Sequence, residues 1–169
     1  MDGGADAYDD VTTTLTAHAI DFKVWTHASF EAPIRSPAEF AEALRYDVER
    51  IVKTLFLVDK TDRTRHAFVG LSANSKLDFG ATARVVGWNK TEAGTPEELA
   101  TVGFPRHGVA PVGLSGEPAA AVVLDEALFH WPSILIGSGR AGVELEVDPE
   151  ALLGLPGAVR AAVSSDAGT

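Results

Sequence analysis

The sequence predicts an α+β fold, a mixed α/β single domain in which a curled, mixed and mainly antiparallel sheet packs against helices. Helix and strand signals are interspersed along the 169 residues, without the strict alternation of a βαβ protein and without an all-strand pattern. The length suits one domain, 1–169, with one hydrophobic core. The composition, 46% hydrophobic and 22% charged, is that of an ordinary globular protein.

The first third of the chain carries two helix signals and one strand signal. Residues 10–20 place Val11, Leu15 and Ala19 at helical spacing. Residues 22–27 (FKVWTH) alternate as a strand does. The segment 36–39 (SPAE) is a capping box with proline at the first helical position, which predicts a helix to about residue 46.

The middle of the chain predicts a hairpin followed by two helices. Residues 51–58 (IVKTLFLV) suit a strand, and a polar turn separates them from a second apolar stretch, 66–73 (HAFVGLSA). A helical stripe follows over 77–87. A second capping box at 95–98 (TPEE) opens a short helix to about Val102.

The last third predicts a shaped loop and more strands. Residues 105–113 (PRHGVAPVG) hold too many prolines and glycines for a helix or a strand. Strands are predicted at 119–124, 133–136 and 143–147, with a final helix from 148. The small polar ends, 1–9 and 164–169, are expected to fray.

Composition excludes several kinds of site. The chain has no cysteine, which removes disulfides, thiolate nucleophiles and cysteine-ligated metals, and its five histidines lack metal-ligand spacing. We therefore expect neither a metal nor another cofactor. No apolar run approaches the roughly 20 residues of a membrane span, and the acidic N-terminus is unlike a signal peptide. The expected compartment is the cytoplasm, with no membrane partner.

Charge is unevenly distributed. The net charge is −10, which argues against a polyanionic partner, yet residues 45–90 hold nine Lys/Arg against five acids, or +4. The remainder holds five bases and nineteen acids, or −14. A basic middle segment fits local contact with a phosphate backbone. A solvated surface of mixed charge explains the same counts equally well.

Lys53 stands inside the apolar strand 51–58. Alternation puts it on one face with Ile51, Leu55 and Leu57, while Val52, Thr54, Phe56 and Val58 share the other face. Two apolar faces indicate a strand covered on both sides, so the ammonium group needs a carboxylate, a phosphate or a wet cleft. The stretch alone equally fits a lysine that extends its charge into solvent or protects a sheet edge.

The segment 137–142 (GSGRAG) satisfies the G-x-G-x-x-G pattern directly after a predicted strand. A dinucleotide-binding turn must open a helix in a βαβ unit, whereas a further strand, VELEV, follows here. A tight turn, or a backbone contact with another ligand, is the better interpretation. The pair Asp125-Glu126 precedes Ala-Leu-Phe, which favours a helix N-terminus over an acid–base pair.

Five motifs together, IVKTLFLV, LSANSKLDF, HGVAPVG, VVLDEAL and IGSGRAGVEL, resemble in order and spacing the YbaK/ProX-type aminoacyl-tRNA deacylases. These are free-standing relatives of the editing domain inserted in bacterial prolyl-tRNA synthetases. The resemblance covers roughly 22–155 and implies a YbaK-like fold. It implies catalytic roles for Lys53 and Gly108 and a substrate-binding set of Thr54, Lys76, Val109, Ala110, Pro111, Gly113, Asp125, Gly137, Ser138 and Gly139.

The implied activity is metal-independent hydrolysis of the ester of a mischarged tRNA, with tRNA(Pro) carrying Cys, Ala or a similar small amino acid as the expected substrate. The implied partners are the tRNA acceptor end and prolyl-tRNA synthetase. Ala110 stands where the family often has serine, so that hydroxyl contact is absent. A non-catalytic tRNA- or synthetase-binding module of the same fold is the alternative, and a small-molecule binder that uses the glycine turn is a third hypothesis.

Overall fold

The computed structural model describes residues 6–112 and 121–165. Helices and strands are interspersed along this part of the chain, as the sequence predicts. In chain order, the elements are α1 (Ala7–Ala17), β1 (Lys23–Thr26), α2 (Pro37–Leu44), β2 (Val52–Asp59), β3 (Asp62–Ser72), β4 (Lys76–Leu77), α3 (Phe79–Val86), β5 (Thr91–Ala93), α4 (Pro96–Val102), β6 (Ala121–Asp125), β7 (Ile134–Gly137), β8 (Val143–Val147), α5 (Pro149–Leu152), β9 (Ala158–Ala161) and β10 (Ser164–Ser165).

The strands form three sheets among the described residues. The largest has the order β5-β2-β3-β6-β9, in which β2 is antiparallel to β3 and β5 while β6 is parallel to β3 and β9. A smaller antiparallel sheet has the order β1-β8-β7, and β4 pairs with β10. A bridge between Ile51 and Leu135 joins the two larger sheets. The predicted mixed, mainly antiparallel arrangement is confirmed, although the strands divide into separate sheets.

Helix starts follow the capping residues. Ser36 accepts the Glu39 N–H at 3.1 Å, and Thr95 and Glu98 form both bonds of a capping box at 2.9 and 3.0 Å. α1 begins before its predicted start because Asp6 caps it, so residues 7–9, expected to fray, are helical. The 3₁₀ turn Glu126–His130 confirms the helix N-terminus predicted after Asp125.

Four strands, β4, β5, β9 and β10, were not predicted, and β4 includes the first residue of the helix predicted over 77–87. They are two to four residues long, so their sequences offer too little alternation to indicate a strand. β10 pairs Ser164 and Ser165 with β4, which corrects the expectation that the whole 164–169 segment frays. No helix in 6–112 or 121–165 is long and apolar enough to cross a membrane.

The β2 strand is covered on both faces, as predicted. Val52, Phe56 and Val58 pack in the main core with side chains from α1 and α4. Leu57 lies in a second cluster on the opposite face, with Val69 of β3. Only the C-terminal half of β2, 57–59, pairs with β5. β7 approaches the N-terminal end of β2 through the bridge at Ile51, and residues 51–54 border the candidate site.

Candidate active site

A cavity of about 580 Å³ opens beside the N-terminal half of β2. Its other walls are the loop before residue 110, the glycine turn after β7, and the segment leading into α2. Its size is that of a small-molecule site. The described lining residues are His27, 34–37, 51–54, 106–109, Gly137 and 140–144.

Lys53 lies half-buried in this lining. Its Nζ donates a hydrogen bond to the main-chain carbonyl of Ser75, and no carboxylate among the described residues pairs with it. A neutral carbonyl satisfies one of the three ammonium donors without cancelling the charge. The side chain therefore lines the cavity and carries a positive charge with two further donors, rather than extending freely into solvent.

Thr54, the next residue, also lines the cavity. Its hydroxyl oxygen is buried and has no hydrogen-bond partner in 6–112 or 121–165. Such a group costs about 1–3 kcal/mol when it stays unpaired in a protein interior. The oxygen has almost no exposed surface in this conformation, so a bound molecule would pair with it after a rotation of the Thr54 side chain toward the cavity.

Gly108 and Val109 bring main-chain groups to the cavity, and close packing against the glycine turn fixes their position. The Gly139 N–H donates to the Gly108 carbonyl at 2.6 Å. A Cβ on Gly108, whose φ is +92°, would lie 2.8 Å from the Arg140 carbonyl, and a Cβ on Gly137 would lie 2.9 Å from the Val109 carbonyl carbon. Only glycine permits this approach of two backbones.

The glycine turn is otherwise structural. Ser138 is fully buried, accepts the Arg140 N–H at 3.2 Å and donates to the Val143 carbonyl at 2.7 Å. A Cβ on Gly139 would meet the backbone of Ala7 at 2.7 Å. The turn thus packs against the start of α1, which accounts for its glycines without a dinucleotide. Ser138 and Gly139, predicted to bind substrate, do not line the cavity.

Three further predicted substrate-binding residues, Lys76, Ala110 and Pro111, do not line the cavity. Ala110 and Pro111 are buried, with Ala110 in the main core, so a serine hydroxyl at position 110 would face the core and not the cavity. Lys76 is exposed in β4 and is absent from the lining. Gly113 lies outside the described residues.

Asp125 is a buried structural carboxylate in this fold. It is 1% exposed and accepts hydrogen bonds from the Val163 N–H at 3.0 Å, the Ser164 hydroxyl at 2.8 Å and the Ala127 N–H at 3.3 Å. These bonds tie the end of β6 to the C-terminal segment and cap the following 3₁₀ turn. The structure places Asp125 outside the lining of the cavity.

His27 and Glu144 line the cavity but were not predicted as site residues. The imidazole Nε2 lies 2.6 Å from Glu144 Oε2, and burial raises the pKa of the Glu144 carboxyl. The alternation of VELEV does indicate that Glu144 lies on the face opposite Leu145. Its partner lies 117 residues away, so only the pairing of β1 with β8 reveals the contact.

Three arginines also line the cavity, Arg35, Arg106 and Arg140. All three are exposed. Arg35 contacts Glu39 and Arg140 contacts Asp6, each at 3.2 Å. Surface pairs of this kind exchange readily with another anion because each is worth little. Over the described ranges, no group of three or more His, Cys, Asp or Glu residues could hold a metal ion.

Comparison with known proteins identifies the family. Residues 31–155 match the model of the aminoacyl-tRNA editing domain. A relative from Enterococcus faecalis, described by its name as a Cys-tRNA(Pro)/Cys-tRNA(Cys) deacylase, EbsC, is 30% identical over 139 residues, 82% of each chain.

Two solved structures share the fold. One, described as a trans-editing enzyme for prolyl-tRNA synthetase, is 28% identical with a TM-score of 0.77, over 96% of this chain and 99% of that one. The other, a hypothetical protein, is 26% identical with the same TM-score, over 92% and 99%. The family and the YbaK-like fold predicted from the sequence are confirmed: the chain belongs to the aminoacyl-tRNA editing domain family.

Proposed function

We propose that this protein removes a small, wrongly attached amino acid from tRNA(Pro), acting in trans as a single editing domain. Its aminoacyl-tRNA deacylase activity follows from the family and from the 30% identical relative. Cysteine is the first amino acid to test because that relative is described as acting on Cys-tRNA(Pro) and Cys-tRNA(Cys). Alanine is the second because it is also small. The proposed place of action is the cytoplasm, where tRNA is charged.

The observation that carries the proposal is the position of Lys53 in the cavity lining, next to Thr54, whose hydroxyl has no partner among the described residues. An aminoacyl ester is already activated, so positioned charge and hydrogen-bond donors suffice to speed its hydrolysis. The two Lys53 donors left by the Ser75 carbonyl would bind the terminal ribose or phosphate. They would also stabilise negative charge as the ester breaks.

The loop at Gly108 and Val109 would hold the acyl group. Its backbone lies at the cavity wall and is fixed by the glycine turn. Main-chain N–H groups there would bind the acyl carbonyl as it gains negative charge. The neighbouring hydroxyl of the terminal ribose would orient the attacking water. Thr54 would bind a polar group of the ester or the ribose.

The arginines at the cavity support contact with the acceptor end of the tRNA. Arg35, Arg106 and Arg140 place three guanidinium groups around an opening in a chain of net charge −10. Local positive charge binds the phosphates of a single-stranded end, while the acidic remainder limits contact with the rest of the RNA. Prolyl-tRNA synthetase is the proposed partner because one structural relative is described as its trans-editing enzyme.

The test is to incubate the protein with tRNA(Pro) charged with Cys, Ala, Ser or Pro and to follow release of each amino acid. We expect release of Cys or Ala above the spontaneous rate and little release of Pro. A synthetase site that accepts a larger side chain cannot strongly reject a smaller one, so a second site that admits the smaller amino acid corrects the error. Binding of these tRNAs without release of any amino acid would contradict the proposal and favour a non-catalytic tRNA-binding module.

A further inference from the structure

We propose, on the basis of the deacylase function above, that Glu144 binds the α-ammonium group of the aminoacyl ester and that His27 positions it. Glu144 would thereby make the enzyme selective for acyl groups with a free amino group. The substrate class is an α-aminoacyl ester of tRNA, as distinct from an ester whose α-nitrogen is absent or uncharged.

The strand pairing fixes both members of the pair. Trp25 of β1 lies opposite Glu144 of β8, and His27 directly follows β1. The His27 N–H donates to the Gly142 carbonyl at 2.8 Å, and the imidazole packs against the Phe40 ring with 4.7 Å between ring centroids. The orientation of the imidazole is therefore fixed by contacts other than its bond to Glu144. A carboxylate held in this way needs little reorganisation to bind a cation.

One carboxylate oxygen is left for a ligand. Oε2 is engaged by His27 at 2.6 Å, while Oε1 has no hydrogen-bond partner within the described part of the chain. The Glu144 side chain is 15% exposed and lies in the wall of the cavity. An oriented oxygen, partly screened from water, binds an ammonium group more strongly than a surface carboxylate does.

Charge in the cavity matches the charge of the proposed substrate. Glu144 is the one carboxylate among the described lining residues, whose other ionisable side chains are Lys53, the two histidines and the three arginines. The charged end of an aminoacyl-tRNA carries anionic phosphates and a single cation, the α-ammonium. A basic lining with one acidic position therefore has complementary groups for both charges.

Burial of the Glu144 carboxylate favours binding of a cation beside it. Desolvation raises the pKa of the Glu144 carboxyl, and the hydrogen bond from His27 opposes that shift only in part. An ammonium group at Oε1 would stabilise the ionised carboxylate, as the hydrogen bond from His27 does. Binding is thus favoured for a substrate that carries the charge and not for one that lacks it.

The test compares two substrates and three proteins. The substrates are Cys-tRNA(Pro) or Ala-tRNA(Pro), whichever is hydrolysed faster, and the same tRNA carrying the matching α-hydroxy acid, in which a hydroxyl of similar size replaces the ammonium. The proteins are the wild type, Glu144→Gln and the control Glu42→Gln. The control neutralises an exposed carboxylate of α2 outside the cavity lining. Spontaneous hydrolysis is subtracted throughout.

We expect Glu144→Gln to lower kcat/KM for the aminoacyl substrate by about 10- to 100-fold, the usual range for a hydrogen bond to a charged group. Its kcat/KM for the hydroxyacyl substrate should stay within about threefold of wild type, as should both values for Glu42→Gln. An equal loss on both substrates overturns the inference, because the pair would then act on the ester itself. No loss on either substrate overturns it as well.

Failure of the inference differs visibly from failure of the proposed function. If the wild type hydrolyses neither substrate, the deacylase proposal is wrong. If it hydrolyses them and Glu144→Gln leaves the ratio of the two rates unchanged, only the role of Glu144 is wrong. Should Glu144→Gln not fold, Glu144→Asp replaces it: withdrawing the carboxylate by one methylene must reduce the aminoacyl preference, and an unchanged preference overturns the inference.

Discussion

Gly137→Ala should disable the site without touching any side chain in it. The new Cβ would overlap the Val109 carbonyl oxygen and lie 2.9 Å from its carbon and 3.0 Å from the Gly108 oxygen. Ordinary carbon–carbon contacts are about 3.5–4.0 Å, so the two backbones must separate by roughly 1 Å. A misplacement of that size lowers a rate by about 100-fold when the displaced groups position the substrate.

The assay for Gly137→Ala is single-turnover release of the amino acid from charged tRNA(Pro). Its matched control is Gly80→Ala, the same chemical change in α3, where the new Cβ would meet its nearest atoms at 3.5 and 3.6 Å. We expect the control to keep wild-type kcat/KM and Gly137→Ala to lose it by about two orders of magnitude while remaining folded. Full activity in Gly137→Ala would refute the role given to the loop at Gly108.

Three further substitutions separate stability from function. Asp125→Asn weakens charge-assisted bonds to the Val163 N–H and its neighbours, so Tm should fall by roughly 3–12 °C. The kcat/KM of the folded protein should stay within about threefold of wild type. Lost activity at unchanged Tm would contradict this. Thr54→Val removes a hydroxyl that has no partner among the described residues, so calorimetry should show an equal or higher Tm. The kcat/KM should fall by about 3- to 10-fold because the hydroxyl no longer binds substrate. Unchanged kcat/KM would exclude substrate contact. Arg63 lowers the pKa of Glu98 from 4.5 to about 2, so part of the folding free energy is lost as pH falls from about 4.5 to about 2. Urea unfolding at several pH values should show that loss in wild type and a flatter profile in Glu98→Gln; parallel profiles would contradict it.

The sequence predicted those features of the fold that depend on neighbouring residues, such as helix starts and the buried strand β2. The capping box at Thr95 and the cap at Ser36 set helix starts through bonds within three residues, so the sequence reveals them. The two apolar faces of 51–58 predicted a strand buried on both sides, and they also singled out Lys53. Short strands such as β5 and β9 depend on neighbours distant in the chain and left no local pattern.

The residues of the candidate site were also predicted only in part. The family motifs identified Lys53, Thr54, Gly108, Val109 and Gly137, all of which line the cavity. A motif does not distinguish a residue that lines a cavity from a buried residue that supports the fold. Ser138 and Asp125 are of the second kind, because both are buried, both bond to nearby main-chain groups and neither lines the cavity.

The pair of His27 and Glu144 could not be predicted, since neither residue belongs to a local pattern that indicates its partner. The contact exists because β1 and β8 are adjacent in the smaller sheet, and that pairing joins segments over 100 residues apart. Topology, and not propensity, brings the two side chains together. Sequence patterns of period two or 3.6 carry no information on which distant strands pair.

The most direct test of the central claim is hydrolysis of Cys-tRNA(Pro) and Ala-tRNA(Pro) by Lys53→Ala. Because the Lys53 ammonium bonds only to the Ser75 carbonyl among described groups, the substitution should leave the fold and Tm close to wild type. The rate of deacylation should fall by about 100-fold or more, the effect of removing a preorganised group that stabilises developing charge. A folded Lys53→Ala protein that hydrolyses either tRNA at the wild-type rate would contradict the account.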